Sequence, residues 1–407
     1  MKKTLYSTPD SMENTFKQYN THKTLIYISV IVGAFLFAIG AVLLTLSTKK
    51  QAAVSYPEEV SSSQTTPLPS SRPIQKTATQ EAKKTDTVSA ISQLLVSMTN
   101  GITEPNKAPT VASSKLGIFL IDTYSEGAKK IIAAKPRIIR VLDPQANTSL
   151  LEATKAYKNT ISGGIVVLSM YNNIKKYSLA NDPEQSASDY YETVIKPVLD
   201  KLGNDKHIFT YIEAPNETNS TPDWNTKEQA AWLNTFWSKT IELNAQSGMR
   251  TCIGSIPVGN PPGDTGAIKE KLQEFLPALK KAYATAGALC YHAYTYQYTT
   301  DETQEQYTSL RYRLLHSLIV ELEPTLVNLP MILSEAGIDR EGNPETSGYL
   351  ARVSNEEYEK WLQWFDTQIQ RDNYVLGATL FQIGATDWKS FNIEQISGWL
   401  AEHITAR

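Results

Sequence analysis

Eight short apolar segments, each followed by a polar loop and in nearly every case by an amphipathic helical pattern, run along the chain from about residue 115 onward. They are apolar at consecutive positions, as expected for parallel strands buried on both faces. The segments are Leu116–Ile121, Arg137–Leu142, Gly164–Ser169, His207–Glu213, Arg250–Ile256, Ala288–Tyr294, Met331–Glu335 and Leu376–Ile383. Eight strand–helix units over ~290 residues predict an α/β fold, a (β/α)8 TIM barrel. A doubly wound sheet is the alternative, but the count of eight and the polar residues at strand ends favour the barrel.

Two helix starts in this region carry the sequence pattern of a capping box. Thr226 is followed three residues later by Gln229, and Ser354 is followed by Glu357. In such a box the hydroxyl and the longer side chain satisfy backbone N–H groups at the helix start. We therefore expect helices to begin directly after Thr226 and Ser354.

A long uncharged stretch near the N-terminus predicts a membrane anchor. Residues 25–47 are predominantly apolar and long enough to cross a hydrocarbon core of roughly 30 Å as a single transmembrane helix. A cleaved signal peptide is the alternative, but its apolar core is shorter and precedes small residues, whereas Lys49 and Lys50 follow here. Lysines are more frequent in residues 1–24 than after the span, so we expect residues 1–24 to be cytoplasmic. This predicts a signal-anchored, single-pass protein of the cell membrane with an extracellular domain.

Residues 48–112 differ from the rest of the chain in composition. Between Pro57 and Ile118 there is no aromatic residue, and Ser, Thr, Pro, Lys and Gln dominate. Such a stretch buries too little apolar surface to offset chain entropy, so we expect a disordered linker that holds residues 113–407 away from the membrane.

The charged and metal-binding residues exclude several functional classes. Lys and Arg total 39 against 42 for Asp and Glu, which argues against a nucleic-acid partner. The five histidines show no metal-ligand spacing, so we expect no metal. Cys252 and Cys290 lie on neighbouring predicted strands, where a bridge is geometrically demanding, and we expect two unpaired buried thiols.

Polar residues gather at the ends of the predicted strands, where a barrel of this type holds its working residues. The candidate site residues, in chain order, are Arg140, Tyr171, Asn216, Glu217, His292, Tyr294, Glu335 and Trp388. His292 and Tyr294 are two residues apart and so share one face of a strand. Glu213 lies inside the fourth strand, where we expect a buried ion pair with an arginine.

Two carboxylates that open into one barrel mouth provide what glycosidic cleavage requires. One must protonate the leaving oxygen, and the other attacks the anomeric carbon or activates water. We assign these roles to Glu217 and Glu335. Arg140 is expected to keep its partner carboxylate ionised, and Tyr294 to donate a hydrogen bond to the same group. Glycosidic cleavage of this kind requires no organic cofactor, and we expect none.

Loop aromatics are candidates for stacking on sugar rings. Trp388 and Trp224 both lie in predicted loops, and aromatic faces suit this contact. Tyr171, just past the third strand, is expected to line the same groove.

The set resembles clan A glycoside hydrolases, which are retaining (β/α)8 enzymes with a glutamate at the end of strand 4 and another at the end of strand 7. The segment from Glu213 to Glu217, E-A-P-N-E, is similar to the acid/base motif of the clan, and Glu335 in L-S-E-A-G to its nucleophile. The resemblance implies that Asn216 touches the sugar 2-hydroxyl and that Tyr294 orients the nucleophile. Strand 8 departs from the pattern, because Phe381 and Gln382 stand where the clan often has a tryptophan.

The expected function is hydrolysis of O-glycosidic bonds in an extracellular or cell-envelope polysaccharide. A carbohydrate-binding or cell-wall-attachment protein on a degenerate barrel is one alternative. A transglycosylase, which differs in what attacks the covalent intermediate, is another. The expected partners are therefore a carbohydrate and, through one N-terminal helix, a membrane.

Overall fold

The structure, a computed structural model, describes residues 113–171 and 175–406. Within them, eight parallel strands form one sheet in the order β4-β3-β2-β1-β8-β7-β6-β5. The strands are β1 (Leu116–Leu120), β2 (Ile138–Leu142), β3 (Ile165–Ser169), β4 (Tyr211–Glu213), β5 (Cys252–Ile256), β6 (Ala288–Thr295), β7 (Met331–Ile338) and β8 (Val375–Ile383). A bridge between Ile212 and Thr251 brings the two ends of the sheet together. The result is a nearly closed barrel, and the predicted (β/α)8 architecture is confirmed.

Helices follow the strands and cover the outside of the barrel. They are α1 (Glu126–Ala133), α2 (Thr148–Thr160), α3 (Pro183–Tyr190), α4 (Lys196–Leu202), α5 (Lys227–Gln246), α6 (Thr265–Ala284), α7 (Glu302–Glu305), α8 (Tyr312–Leu322), α9 (Asn355–Arg371) and α10 (Ser397–Thr405). Both predicted capping boxes are present, at Thr226 before α5 and at Ser354 before α9. Each box satisfies backbone donors at the start of its helix.

Each of the eight predicted segments overlaps a strand, but the fourth strand is shorter than expected. β4 has three residues, and His207 at the start of the predicted segment lies in a 3-10 helix, Gly203–Ile208. That helix delivers the chain to the barrel just before Tyr211. Because β4 is so short, the position of its last residue, Glu213, depends largely on the neighbouring strands β3 and β5.

The lower interior of the barrel is apolar. Ile138, Val167, Tyr211 and Ile332 pack together there, and none exposes more than 6% of its surface. A larger apolar cluster fills the space between the strands and the surrounding helices. These two layers fix the strand ends that carry the polar residues.

Cys252 and Cys290 form a disulfide bond, so the prediction of two free thiols is wrong. Cys252 on β5 is paired in register with Ala288 on β6, two residues before Cys290. The two cysteines consequently face the same side of the sheet, the barrel interior. Their Cα atoms are 5.4 Å apart, within the range that a disulfide spans without backbone movement.

The predicted cytoplasmic segment 1–24, transmembrane helix 25–47 and linker 48–112 lie outside the described residues. Across residues 113–171 and 175–406, no helix combines the length and apolar character needed to span a bilayer. The anchor therefore stays a prediction from sequence.

Candidate active site

Arg140 is the central cation of a polar cluster at the carboxyl ends of the strands. Its side chain is fully buried, and its guanidinium carbon Cζ lies over the ring of Phe119, 4.1 Å from the ring centroid. Nη1 donates to Glu335 Oε1 at 2.7 Å and to the backbone oxygen of Ser334 at 3.0 Å. Nη2 donates to Asn216 Oδ1 at 2.6 Å. Arg140 therefore ties β2 to β7 and to the loop after β4, and its geometry is fixed from several sides.

Glu335 is held from two directions. Arg140 occupies Oε1, and the hydroxyl of Tyr294 donates to Oε2 at 2.7 Å. Burial, the charge of Glu335 and this hydrogen bond raise the pKa of Tyr294 well above its ordinary value, so the phenol stays a donor. Glu335, which exposes 7% of its surface, is thus held in a fixed orientation at the mouth of the barrel.

Glu217 stands across the site from Glu335, on the loop after β4. Its backbone has a positive φ of 46°, and its N–H donates to Ser255 Oγ on β5 at 3.0 Å. The side chain is one-third exposed, and its Oε1 lies 2.7 Å from His292 Nδ1. A left-handed backbone is uncommon for a residue with a side chain. The hydrogen bond to Ser255 holds the loop in this conformation and aims the carboxylate at the mouth.

His292 on β6 lies among three carboxylates. Nδ1 is 2.7 Å from Glu217 Oε1 and 3.5 Å from Glu335 Oε2, and Nε2 is 3.6 Å from Glu213 Oε1. Complete burial alone would lower the pKa of His292, but the charge of Glu335 and the contacts with Glu213 and Glu217 outweigh it. They raise the pKa of His292 to about 10. The imidazole is therefore cationic at neutral pH.

The positive charge of His292 acts directly on Glu217. Burial opposes its ionisation, yet the hydrogen bond and charge of His292, followed by the charge of Arg140, lower the pKa of Glu217 below its ordinary value. A general acid needs a raised pKa to keep its proton. In the open cleft, Glu217 is thus an anion beside a protonated imidazole.

Glu213 forms the buried ion pair that the sequence predicts. Its Oε2 lies 3.0 Å from Arg140 Nε, although that N–H is not aligned for a hydrogen bond, and its Oε1 accepts from Ser334 Oγ at 2.6 Å. Burial would raise the pKa of Glu213, but Arg140 first, then His292 and Ser334, lower it to about 2.

Three serines complete the cluster and were missed at the level of sequence. Ser255 and Ser334 contact the carboxylate-bearing segments as described, and Ser169 Oγ accepts from Arg140 Nη2 at 2.9 Å. Ser169 ends β3, Ser255 is the last residue but one of β5, and Ser334 lies in the middle of β7. A serine within an otherwise apolar strand segment was the signal in the sequence that could have identified them.

The structure thus brings six of the eight predicted site residues into one hydrogen-bonded cluster. They are Arg140, Asn216, Glu217, His292, Tyr294 and Glu335. The amide of Asn216 is oriented by Arg140 and by Ser255 Oγ, at 2.6 and 3.3 Å from Oδ1.

The remaining aromatic candidates separate into rim and core positions. Tyr171 is 65% exposed just past β3, where its N–H donates to Asp143 Oδ2 at 3.0 Å. Trp388 is partly buried against Phe381, with ring centroids 5.4 Å apart. Neither belongs to the hydrogen-bonded cluster.

Trp224 does not face the groove, so its assignment as a stacking platform is wrong. It is 1% exposed and packs edge-on against Phe275 of α6, with ring centroids 4.9 Å apart. The loop after β4 folds inward at this point, and the indole anchors it to the helix layer. Phe381 on β8, whose ring centroid is 6.4 Å from that of Tyr294, lies beside the cluster, as Phe119 does.

One group of three potential metal donors occurs among the described residues, formed by Glu217, His292 and Glu335. One donor atom from each lies within 4.8 Å of the others. A protonated imidazole has no lone pair to offer a metal, so the raised pKa of His292 opposes coordination. The same distance limit places the nearest oxygens of Glu217 and Glu335 within 4.8 Å of each other.

Comparison with known proteins gives likenesses in solved structures and no match elsewhere. No family model and no curated protein matches the chain. A broad-specificity endoglucanase of glycoside hydrolase family 5, subfamily 4, from an uncultured bacterium is 13% identical, with a TM-score of 0.44 over 76% of this chain and 100% of its own. A family 5 mannosidase from Rhizomucor miehei is 9% identical, with a TM-score of 0.39 over 73% of this chain and 93% of its own. A family 128 endo-β-1,3-glucanase from Sorangium cellulosum is 14% identical, with a TM-score of 0.37 over 69% of this chain and 91% of its own.

Proposed function

We propose that this chain is a retaining glycoside hydrolase that acts on a polysaccharide. The observation that carries the proposal is the approach of Glu217 and Glu335, whose nearest oxygens lie within 4.8 Å in one partly open mouth. Retaining glycosidases hold their two carboxyl groups about 5–5.5 Å apart, whereas inverting enzymes leave roughly 6.5–9.5 Å for a water molecule. A nearest-oxygen distance below 4.8 Å agrees with the retaining separation, and this supports direct attack by a carboxylate.

In the first half of the reaction, Glu335 attacks the anomeric carbon. A bond forms between a carboxylate oxygen of Glu335 and that carbon, while the bond from the carbon to the leaving oxygen breaks. Glu217 transfers its proton to the leaving oxygen. In the second half, Glu217 takes a proton from water, the water oxygen bonds to the anomeric carbon, and Glu335 leaves as a carboxylate.

Glu217 must gain its proton as the saccharide binds. In the open cleft, His292 and Arg140 lower the pKa of Glu217. One-third of its side chain faces water there, and a bound sugar covers that surface. Loss of water disfavours the charged form of a carboxyl group and so raises its pKa. Glu217 therefore becomes protonated when the substrate binds.

The test is covalent trapping of the intermediate. We would incubate the full-length chain with mechanism-based retaining-glycosidase probes of several sugar configurations and measure intact mass. We expect a mass increment of one sugar that maps to Glu335 and is absent from Glu335→Gln. The matched control is Glu345→Gln, an exposed glutamate on the loop after β7 that should leave labelling unchanged.

Two results would contradict the proposal. Labelling elsewhere than Glu335 would refute the assignment of the nucleophile. Retention of the folded chain by polysaccharide without labelling by any probe would favour a carbohydrate-binding protein.

We further propose that the barrel works outside the cell, tethered by residues 25–47, on a polymer of the cell envelope. The sequence of that segment supports an anchor. The disulfide of Cys252 and Cys290 gives independent support, because structural disulfides persist in oxidising compartments and are rare in the cytosol.

Localisation is tested on intact cells. We expect external protease to remove the barrel and to leave a short membrane-embedded fragment that resists carbonate extraction. A barrel that is protected until the cells are lysed would contradict this placement.

A further inference from the structure

The buried cluster contains more charge than the two reacting carboxylates require. Arg140 and His292 are its cations, and both are fully buried. Glu217 and Glu335 are the carboxylates with assigned roles. Glu213 is a third carboxylate, fully buried, and the proposed reaction gives it no bond to make or break. A buried charge without such a role is costly unless it balances another.

The contacts of the His292 ring indicate that the negative charge of Glu213 balances the positive charge of His292. Nδ1 faces Glu217 at 2.7 Å, and on the opposite edge Nε2 faces Glu213 Oε1 at 3.6 Å. A neutral imidazole carries one N–H, so one of its nitrogens would direct a lone pair at a carboxylate. The doubly protonated ring faces an anion with each N–H. Ser255 Oγ, 3.4 Å from Nε2, fits the same arrangement because a hydroxyl oxygen accepts a hydrogen bond.

Of the three carboxylates around His292, two change charge during the proposed reaction. Before attack, Glu335 is an anion and Glu217 carries a proton. In the glycosyl-enzyme, Glu335 is a neutral ester and Glu217 is an anion. One negative charge therefore moves across the site from one catalytic residue to the other. Glu213 remains ionised in both states, since Arg140, His292 and Ser334 lower its pKa to about 2.

We propose, on the basis of the glycosidase function above, that Glu213 is a positioning residue whose permanent negative charge keeps His292 protonated through both halves of the reaction. With Glu213 charged, the two cations face two anions before attack and two anions in the intermediate, so the buried cluster stays neutral throughout. Without Glu213, the cluster would carry an excess positive charge in both states, which His292 can relieve by losing its proton.

The other charged and titratable groups near His292 do not replace Glu213. Tyr294, also on β6, is a neutral phenol that donates to Glu335. Asp339, beyond the end of β7, has a pKa raised first by burial, with smaller contributions from the charges of Glu217 and Glu335. Its carboxylate accepts the N–H groups of residues 341 and 342. Asp339 is thus engaged in its own turn, whereas Glu213 sits against the ring of His292.

The experiment measures the protonation of His292 directly. The full-length chain is produced with isotope-labelled histidine, and the imidazole signals are followed by NMR as a function of pH. The chain has five histidines, and the His292 signal is the one lost in His292→Gln. In the wild type we expect His292 to stay cationic beyond pH 8, in line with a pKa of about 10.

Glu213→Gln preserves the shape of the side chain and removes its charge. We expect the pKa of His292 to fall below its wild-type value, because the contact with Glu213 is one of the causes that raise it. The matched control is Ser334→Ala, which removes the 2.6 Å hydrogen bond to Glu213 and leaves the carboxylate in place. In that variant His292 should stay cationic at pH 8. A purely structural role for Glu213 predicts similar losses of thermal stability in both variants and no difference in the titration of His292.

The wild-type titration can overturn the proposal even where Glu213→Gln does not fold. A wild-type His292 that becomes neutral below pH 7 would overturn the proposal, as would a folded Glu213→Gln in which His292 still titrates near 10. Glycosidase activity does not enter this measurement. Failure of the probes to label Glu335 would therefore refute the proposed function while leaving the His292 result intact.

Discussion

Replacement of Arg140 by methionine tests the electrostatics of the site through stability. The change keeps an unbranched side chain of similar length and leaves Glu213 and Glu335 buried without their shared cation. Removal of one partner of a buried ion pair costs about 3–5 kcal/mol. The structure gives a comparable figure, because lowering the pKa of Glu213 from 4.5 to about 2 corresponds to about 3 kcal/mol, and Arg140 is the largest favourable cause. We therefore expect the free energy of unfolding to fall by about 3–5 kcal/mol at neutral pH.

The loss should depend on pH in a defined direction. The folded-state pKa of Glu213 lies below its unfolded value, so its stabilising contribution is complete above pH 4.5 and disappears as the pH falls toward 2. In Arg140→Met, burial instead favours the protonated acid, which removes the penalty at low pH. The difference between wild type and variant should consequently shrink as the pH is lowered from 7 to about 3.

Urea denaturation of the full-length chain, followed by tryptophan fluorescence, measures this difference. All seven tryptophans lie between Trp224 and Trp399, so the emission reports on the barrel. Arg371→Met is the control, because Arg371 pairs with Glu302 on the surface, where such pairs contribute about 0–1 kcal/mol. A loss for Arg140→Met that equals the control, or one that is independent of pH, would refute the reasoning.

Three further predictions follow from the same contacts. Tyr294→Phe should lower kcat roughly 10–100-fold, since a hydrogen bond to a charged group is worth about 1.5–3 kcal/mol. Steady-state kinetics measure this loss, and Tyr291→Phe, on the same strand, is the control that should be unaffected. The alkaline limb of the pH profile of kcat should lie at higher pH than that of kcat/KM, because saccharide binding raises the pKa of Glu217; coincident limbs would contradict substrate-induced protonation. The double replacement of Cys252 and Cys290 by alanine should lower the free energy of unfolding by about 2–4 kcal/mol, because the disulfide closes a loop with a sequence separation of 38. Urea denaturation measures this loss, and unchanged stability would argue against the disulfide.

The architecture was predictable from sequence because its signals are local and repeated. Each strand is a run of apolar residues bounded by polar loops, and the capping residues Thr226 and Ser354 mark helix starts. Fixed connections then bring the strand ends to one face of the barrel. This is why Glu217 and Glu335, 118 positions apart in the numbering, could be assigned to one site.

The features that could not be predicted from the sequence depend on the register between strands and on the direction in which their side chains point. The pairing of Cys252 with Cys290 requires knowing that Ala288 lies opposite Cys252. The position of Nε2 of His292 beside Glu213 likewise depends on the stagger between β4 and β6. Trp224 was misassigned because a loop residue can turn inward when a hydrophobic partner, here Phe275, lies beneath it.

The two levels of the barrel interior differ in a way that stability alone does not explain. The lower level is closed by Ile138, Val167 and Ile332, with a disulfide beside them. The upper level holds buried charges, including Arg140 and Glu213. Replacing a buried ion pair by well-packed apolar residues is often neutral or stabilising by 1–4 kcal/mol, so the same strands could have continued the apolar packing upward. The charges are arranged around two carboxylates that face the opening, and each cation contacts at least one of them. A layer that is costly to bury and organised around the cleft fits a site in which charge moves during a reaction, as the proposed glycosyl transfer from Glu335 to water requires.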